Sequence, residues 1–259
     1  MDEIISYYKP LGFTPLQAIA KLRTERPELK NAQITYAGRL DPMAEGLLLL
    51  LINEAVHRKE EFLRLDKTYK AKILLGFSSD SLDILGLVDD ITSNYQFPDD
   101  KNFREIMTTV SSLIEIHKFP YPNFSSKTVD GKPLWQYARE GKLKNITIPL
   151  REMDVVNAEV LNLEWVPWSE IYQTVIDTIN LVNGEFRQQD ILEQWAKINA
   201  NIATTQTFPI ITVTFDVSSG TYIRTIAHEL GKRLQTKSLL LHLKRTRVGE
   251  FVFPSSLDQ

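Results

Sequence analysis

Residues 35–52 read TYAGRLDPMAEGLLLLLI and join a polar, glycine-bearing loop to an uninterrupted apolar run. Gly38 and Pro42 are typical of turns, so residues 35–46 are predicted to form a loop. Residues 47–52 are apolar at every position, which indicates a buried strand or a buried turn of helix. The sequence therefore places an acidic side chain, Asp41, on a constrained loop beside the core.

Outward from this loop, helical and strand patterns are mixed. Thr14 is predicted to cap a helix over residues 14–26, with Pro15 in its first turn. Without a regular strand–helix alternation, we expect an α+β fold rather than a doubly wound one. The other predicted elements are strands at 67–76 and 208–217, one or two strands at 146–165, helices at 55–65, 101–115, 134–139, 168–201 and 222–234, an acidic, turn-rich segment at 77–100, an extended loop at 119–133, and a helix-to-strand passage at 238–248.

Composition narrows the class of protein. Of the 259 residues, 43% are hydrophobic and 24% are charged, which is ordinary for a soluble globular protein. The absence of cysteine excludes disulfides, thiolate metal sites and cysteine catalysis. The acidic start lacks the basic region of a signal peptide, and residues 46–52 are too short to cross a bilayer. We therefore expect a cytoplasmic protein with no membrane partner.

The charge pattern leaves nucleic-acid binding open. A net charge of −3 does not favour it, because RNA-binding proteins usually carry a basic excess. The segment 221–249 nevertheless contains seven lysine and arginine residues and a single acidic residue, Glu229. This segment predicts either a basic face or a solvated helix with a basic bias. Its basic residues are Arg224, Lys232, Arg233, Lys237, Lys244, Arg245 and Arg247.

Three residues are candidates for chemistry, and each has a plainer interpretation. Asp41 could be a general base, a nucleophile or a metal ligand, or merely part of an Asp-Pro turn. Arg224 is predicted near the start of a helix, where it could pair with Asp41, hold a phosphate, or lie on the surface. Tyr69 begins a strand and could stack on a base or pack in the core.

Other kinds of site are not indicated. The histidines have no zinc-ligand spacing, and the chain lacks glycine-rich phosphate loops and a GxSxG nucleophile turn. We therefore expect neither a metal nor a cofactor.

Seven segments, taken together and in order, resemble the TruB family of tRNA pseudouridine synthases. The resemblance covers most of residues 5–160 and 208–251, and its strength lies in the shared order because each segment alone is weak. The segments are YKPLGFTP (8–15), AGRLDPMAEGLLLL (37–50), DKTYKAKILLG (66–76), SDSLDILG (79–86), DGKPLWQYAREG (130–141), GTYIRTIAHELGKRL (220–234) and LKRTRVGEF (243–251).

The resemblance implies roles for matching residues. Asp41 corresponds to the family's catalytic aspartate, and Arg224 to the arginine that forms an ion pair with it. Tyr69 corresponds to the active-site tyrosine that stacks on the target base and acts in a later proton step. Tyr222, in the same motif as Arg224, is expected to line the pocket. The expected substrate-binding residues are Tyr36, Tyr222, Lys9, Lys67, Arg39 and Lys127.

The implied fold is the pseudouridine synthase fold, an α+β fold with a mixed, mostly antiparallel sheet, flanking helices and a central RNA-binding cleft. The implied reaction is the isomerisation of uridine 55 in the T arm of tRNA, without a cofactor, by a monomeric enzyme. An alternative is a catalytically weak or inactive tRNA-binding or folding chaperone of the same fold.

Two departures from the family pattern are evident. Tyr36 replaces the histidine of the family motif GHTG, a residue linked to flipping of the base. Residues 166–206 interrupt the usual spacing and are interpreted as an insertion of unassigned role. We expect a catalytic domain at residues 1–251 and a short tail at 252–259, with no C-terminal PUA-type RNA-binding domain.

Overall fold

The structure is a computed structural model that describes residues 3–92 and 101–253. Its strands are β1 (Glu3–Lys9), β2 (Ile34–Ala37), β3 (Ala44–Ile52), β4 (Lys67–Leu75), β5 (Phe77–Ser79), β6 (Val88–Ile91), β7 (Ile116–Pro120), β8 (Thr128–Val129), β9 (Lys132–Pro133), β10 (Leu150–Pro167), β11 (Thr207–Val217), β12 (Ser238–Val248) and β13 (Phe251–Val252). Its α-helices are α1 (Pro15–Glu25), α2 (Lys59–Leu63), α3 (Lys101–Ser111), α4 (Leu134–Arg139), α5 (Trp168–Leu181), α6 (Gln188–Asn199) and α7 (Ile223–Arg233).

One large sheet organises the described residues. Its strands lie in the order β1-β3-β12-β4-β11-β10-β7, with β2 beside β3 and β13 beside β12. The pairing of β12 with β3 is parallel, and the other pairings of this sheet are antiparallel. The predicted α+β fold with a mostly antiparallel sheet and flanking helices is therefore confirmed. Within the described ranges, no helix combines the length and apolar character needed to cross a membrane.

Strand β3 explains the apolar run of residues 47–52. Alternate side chains of a strand point to opposite faces of the sheet, and both faces of β3 are covered. Leu48 and Leu50 pack with α1 in one cluster. Leu47 and Leu49 pack with Phe62 of α2 in another. The run is a strand without polar alternation because neither face meets solvent.

Helix α1 begins as the sequence predicts. The Thr14 hydroxyl accepts from the Gln17 amide at 3.2 Å, and the Gln17 side chain accepts from the Thr14 amide at 2.7 Å. These reciprocal bonds form a capping box, which satisfies amide groups that a helix start leaves unpaired. Pro15 occupies the first turn, so both predicted start signals are confirmed.

The segment predicted as an insertion is part of the main core. Helices α5 and α6 connect β10 to β11, and the interval between them contains Asn183 and Gly184, where the sequence left the boundary open. Trp168 of α5 and Trp195 of α6 are fully buried, and both rings lie against Phe77 at 5.4 and 5.9 Å between centroids. The two helices therefore stabilise one end of the central strands.

Several predicted boundaries were wrong. The loop predicted at 35–46 is shorter, because its ends pair in β2 and β3. Residues 238–248 form a strand throughout, since β3 and β4 pair with β12 on either side. The helix predicted at 55–65 is a 3-10 segment followed by the short α2, and residues 146–165 contribute to one strand, β10. Parts of the acidic segment at 77–100 and of the tail at 252–259, namely 93–100 and 254–259, lie outside the described residues.

The basic residues of 221–249 do not form one exposed face. Arg224 and Arg245 are buried. Four others pair with carboxylates, because strands and helices of the fold bring acidic side chains beside them. These pairs are Lys232–Glu229, Arg233–Glu115, Lys237–Asp90 and Arg247–Asp216.

Gly46 is expected to be indispensable to the pairing of β3 with β12. Its φ is 106°, and a Cβ atom there would lie 2.3 Å from the Arg245 carbonyl oxygen. We expect Gly46→Ala to lower the free energy of unfolding by about 3 kcal/mol, since it combines backbone strain with overpacking. Urea unfolding followed by tryptophan fluorescence would measure this loss.

Gly141 provides the matched control for this prediction. Its φ is also positive, at 66°, but a Cβ atom would meet nothing within 4 Å. Gly141→Ala should therefore cost only about 1 kcal/mol, from backbone strain alone. Equal losses in the two variants would show that the close approach of β12 to β3 is not what requires glycine.

Candidate active site

A cavity of about 400 Å³ opens where the loop between β2 and β3 meets the start of α7. Its walls come from segments that are distant in sequence but adjacent around the sheet. The residues predicted for the site that line it are Arg39, Asp41, Lys67, Tyr69, Lys127, Tyr222 and Arg224.

Asp41 lies on the loop between β2 and β3. The backbone fixes this loop at two points, since the Ala44 amide donates to the Asp41 carbonyl at 3.0 Å and the Gly12 amide donates to the Pro42 carbonyl at 2.8 Å. The Asp41 side chain is 41% exposed, and its Oδ2 atom lies 2.9 Å from Nε of Arg224. The carboxylate is thus held in one direction while part of it faces the cavity.

Arg224 lies in the first turn of α7 and is buried. Besides Asp41, its Nη1 donates to the Ser81 carbonyl at 2.9 Å and its Nη2 to the Phe124 carbonyl at 3.3 Å. Asp83 lies 3.6 Å from Nε of Arg224. Burial by itself lowers the pKa of Arg224, but Asp41 and Asp83 outweigh this and raise it above its ordinary value. Arg224 is therefore a permanent cation at the base of the cavity.

Asp83 also belongs to the site, although it was not among the residues predicted from the sequence. It is buried, its Oδ1 accepts from the Ser81 hydroxyl and from the Leu85 amide, and it faces the same guanidinium as Asp41. Burial raises the pKa of Asp83 to about 6, although Arg224 and these hydrogen bonds act in the opposite direction. The motif SDSLDILG at 79–86 contains Asp83, but nothing in its local pattern indicates a distant arginine partner.

Aromatic rings form much of the remaining wall. Tyr69, near the start of β4, and Tyr222, at the N-cap of α7, both line the cavity. Tyr121 meets Tyr222 edge to face, with 5.8 Å between ring centroids, and the Lys127 ammonium lies 5.4 Å from the Tyr121 ring centroid. Burial and the nearby Asp41 raise the pKa of Tyr222. Flat apolar surfaces of this kind suit a planar ring.

Two cationic side chains of the cavity wall, Lys67 and Arg245, bind backbone carbonyls. The Lys67 ammonium donates to the carbonyls of Leu63 and Leu65, and burial lowers the pKa of Lys67 to about 8. Arg245 is almost fully buried, and its three donors bind carbonyls of the β2–β3 segment at 2.6 to 3.3 Å. Those carbonyls belong to Gly38, Arg39 and Leu47. Sequence reasoning named Arg245 only as part of a basic run and missed this contact.

Two predicted substrate-binding residues lie outside the cavity wall. Lys9 is fully buried, and its ammonium donates to the carbonyls of Pro10 at 3.0 Å and Phe13 at 2.6 Å. Burial lowers the pKa of Lys9 to about 7. Tyr36 packs at the edge of the cluster beneath α1, with the Lys59 ammonium 5.4 Å from its ring centroid. Neither residue lines the cavity, and a contact of either one with substrate stays a prediction.

Ser125 supplies an unused polar group in the wall. Its side chain is buried, it lines the cavity, and its hydroxyl has no hydrogen-bond partner among the described residues. An unpaired buried hydroxyl is costly, so a ligand that bonded it would recover that free energy. The cavity thus combines a held carboxylate, aromatic walls and an available hydrogen-bonding group.

Comparisons with known proteins identify a family for the chain. Residues 26–176 match the family described as "TruB family pseudouridylate synthase (N terminal domain)". The tRNA pseudouridine synthase B of Bacteroides thetaiotaomicron is 31% identical over 99% of this chain and 89% of its own length. The protein of that name from Caldicellulosiruptor saccharolyticus is 28% identical over 97% of this chain and 69% of its own length.

Solved structures share the fold. A chain in the crystal structure of a Cbf5–Nop10–Gar1 complex superposes with a TM-score of 0.58 at 18% identity, over 98% of this chain. A chain in an H/ACA RNP bound to a substrate RNA containing 2'-deoxyuridine superposes with a TM-score of 0.56 at 18% identity. This chain spans about half the length of each of those chains, 50% in both cases.

Proposed function

Because the chain belongs to the TruB family of pseudouridine synthases, we propose that it isomerises uridine 55 in the T arm of tRNA to pseudouridine. Asp41 is the essential carboxylate of this proposal. The observation that supports it best is the 2.9 Å ion pair between Asp41 and buried Arg224 at the cavity. This pair holds a reactive group in a fixed direction before the substrate arrives, which is what electrostatic preorganisation requires.

The reaction needs no atom from outside except protons. The C1′–N1 bond of the nucleotide breaks, the base turns, and C1′ bonds to C5; C5 loses its hydrogen to solvent and N1 gains a proton. Asp41 can add to the base, add to C1′ or deprotonate the sugar, and each route uses the same carboxylate. No electron acceptor is consumed, since substrate and product are isomers.

The rest of the cavity wall suits a nucleotide whose base has been flipped out of the stacked bases of the RNA. Extruding a base costs a few kcal/mol, and stacking on an aromatic ring recovers part of this. Tyr69 is the ring we propose for that contact, and Tyr222 lines the same cavity. The unpartnered Ser125 hydroxyl would hydrogen-bond a polar atom of the bound nucleotide. Arg39 and Lys127, which also line the cavity, would meet the RNA backbone.

The test uses the hydrogen that the reaction removes. Unmodified tRNA transcribed with tritium at C5 of uridine should release tritium to water when the protein is added. A transcript with cytidine at position 55 and tritiated uridine elsewhere should release none. Release from both transcripts would refute specificity for position 55, and release from neither, with tRNA bound, would favour a non-catalytic RNA-binding protein.

A further inference from the structure

Arg187, in the segment between α5 and α6, reaches the loops that surround the cavity. Its Nη1 and Nη2 bind the two carboxylate oxygens of Asp80 at 2.7 and 3.0 Å. Its guanidinium carbon lies 4.3 Å from the ring centroid of Phe124, a residue of the cavity wall. The Arg187 side chain is only 17% exposed. It thus makes a two-point ion pair and a stacking contact at once, which a planar guanidinium allows.

Both partners of Arg187 belong to segments that hold Arg224. Asp80 precedes Ser81, whose carbonyl accepts from Arg224 at 2.9 Å. The Phe124 carbonyl accepts from Arg224 at 3.3 Å. Arg187 therefore cross-links, on the outer side, the two loops that the Arg224 guanidinium joins on the inner side.

Arg187 itself is held in an unusual backbone conformation. Its φ is 63°, in the left-handed region that residues other than glycine rarely adopt. The Gln188 side chain fixes the turn, accepting from the Phe186 amide at 2.8 Å and donating to the Val182 carbonyl at 3.0 Å. The Arg187 amide donates to the Glu185 carboxylate at 3.1 Å. Such strain persists only where the surroundings determine the conformation, and here it directs a side chain toward the cavity wall.

We propose that Arg187 is a positioning residue, through which the α5–α6 segment braces the Ser81 and Phe124 loops and so fixes the direction of the Arg224–Asp41 pair. The inference rests on the proposed function of that pair. The carboxylate of Asp80 occupies the donors of Arg187 and the Phe124 ring covers one face of it, so the guanidinium is not offered to RNA. Its loss should slow the chemical step and leave RNA binding unchanged.

Steady-state kinetics on tRNA give the first test. In Arg187→Ala and Arg187→Lys, we expect kcat to fall about tenfold and KM to stay within about twofold, because misplaced reacting groups lower turnover without removing ground-state contacts. Lysine should not rescue, since an ammonium cannot make the two-point, stacked contact. Arg139→Ala is the matched control, because Arg139 binds Glu185 of the same turn at 3.2 Å and is not a partner of Asp80 or Phe124 within the described residues.

Other kinetic outcomes would overturn the proposal. A raised KM with an unchanged kcat would make Arg187 an RNA contact. Full activity of Arg187→Lys would show that only the positive charge at this position matters. An equal loss of kcat in Arg139→Ala would show that any weakening of the turn has the same effect. Should Arg187→Ala fail to fold, Phe124→Leu removes the stacked ring while the Asp80 pair remains, and it should lower kcat in the same way.

A second measurement does not depend on activity. In protein labelled with ¹⁵N-arginine, hydrogen exchange at Nε of Arg224 reports how firmly the guanidinium is held; Arg224→Lys identifies its signal. We expect this exchange to be about tenfold faster in Arg187→Lys than in the wild type, and unchanged in Arg139→Ala. Unchanged exchange in Arg187→Lys would refute the brace. If the wild type showed no turnover, the proposed function would be refuted. The exchange rate at Nε of Arg224 would still show whether Arg187 fixes the position of Arg224.

Discussion

Asp41→Asn is expected to reduce pseudouridine formation by about 10³-fold or more, because the amide can neither add to the substrate nor take a proton from it. Asparagine has nearly the same shape, so the loop between β2 and β3 should keep its conformation. The lost ion pair is 41% exposed on the Asp41 side, and solvent screening limits its contribution to stability to about 1 kcal/mol or less. Tritium release and thermal unfolding of the same preparation would measure both quantities.

Asp190→Asn is the matched control, since Asp190 lies exposed on α6. Its activity should equal that of the wild type. Retention of more than about a tenth of the activity by Asp41→Asn would exclude an essential carboxylate at this position. A large loss of stability in Asp41→Asn would instead assign Asp41 a structural role.

Arg224→Ala is expected to cause the largest loss of stability, about 3–5 kcal/mol near pH 8, because it leaves a buried carboxylate without its cation. Asp83 is 3% exposed and would keep its hydrogen bonds from Ser81 and Leu85 but lose the guanidinium. The carbonyls of Ser81 and Phe124 would lose a donor as well. Turnover should disappear together with the fixed direction of Asp41.

The loss in Arg224→Ala should diminish as the pH falls. The pKa of Asp83 in the folded protein, about 6, already lies above its ordinary value of 3.8, and removing the arginine raises it further. Between pH 3.8 and the raised pKa, Asp83 of the folded variant holds a proton that the unfolded chain has released. The stability of the variant therefore falls as the pH rises toward this raised pKa. Urea unfolding should show a deficit at least ~1 kcal/mol smaller near pH 5.5 than near pH 8.

A double variant identifies the group responsible. In the Asp83→Asn background, the deficit caused by Arg224→Ala should be nearly the same at both pH values, because the titrating carboxyl is absent. A pH dependence that survived there would assign the effect to Asp41 or to another group. Equal deficits at both pH values in the single variant would show that Asp83 is not the carboxylate left uncompensated.

Local patterns predict the elements that carry the site. The capping signals at Thr14 and Pro15 locate α1, and the strand pattern of residues 208–217 locates β11. Asp41, Tyr69 and Arg224 were selected from short motifs, and the fold brings them to one cavity. Motifs of this kind can be recognised from the sequence because each lies at the end of a strand or helix, where few backbone conformations are possible.

Long-range pairings could not be predicted in this way. The partners of the buried residues Asp83 and Arg245 are far away in sequence: Asp83 faces Arg224, and Arg245 binds carbonyls of the loop before Asp41. No local sequence pattern indicates such a partner. The strand character of residues 238–248 depends likewise on neighbours on both sides, since pairing partners rather than propensity decide a central strand. Lys9 was predicted to bind substrate, and only the fold shows that its ammonium donates to the carbonyls of Pro10 and Phe13.

The position of β12 between β3 and β4 has a consequence for synthesis on the ribosome. A nascent chain that ends before Ser238 can already form β3 and β4, but the strand that joins them is still missing. Such a chain leaves unpaired the edge of β4 that later meets β12, together with residues 44–46 of β3. Unpaired strand edges are prone to association with other chains. Arg245, which holds the loop that precedes Asp41, arrives with the same strand. The loop that carries Asp41 is therefore secured only after β12 has been synthesised, so shorter chains carry the motif without the assembled cavity.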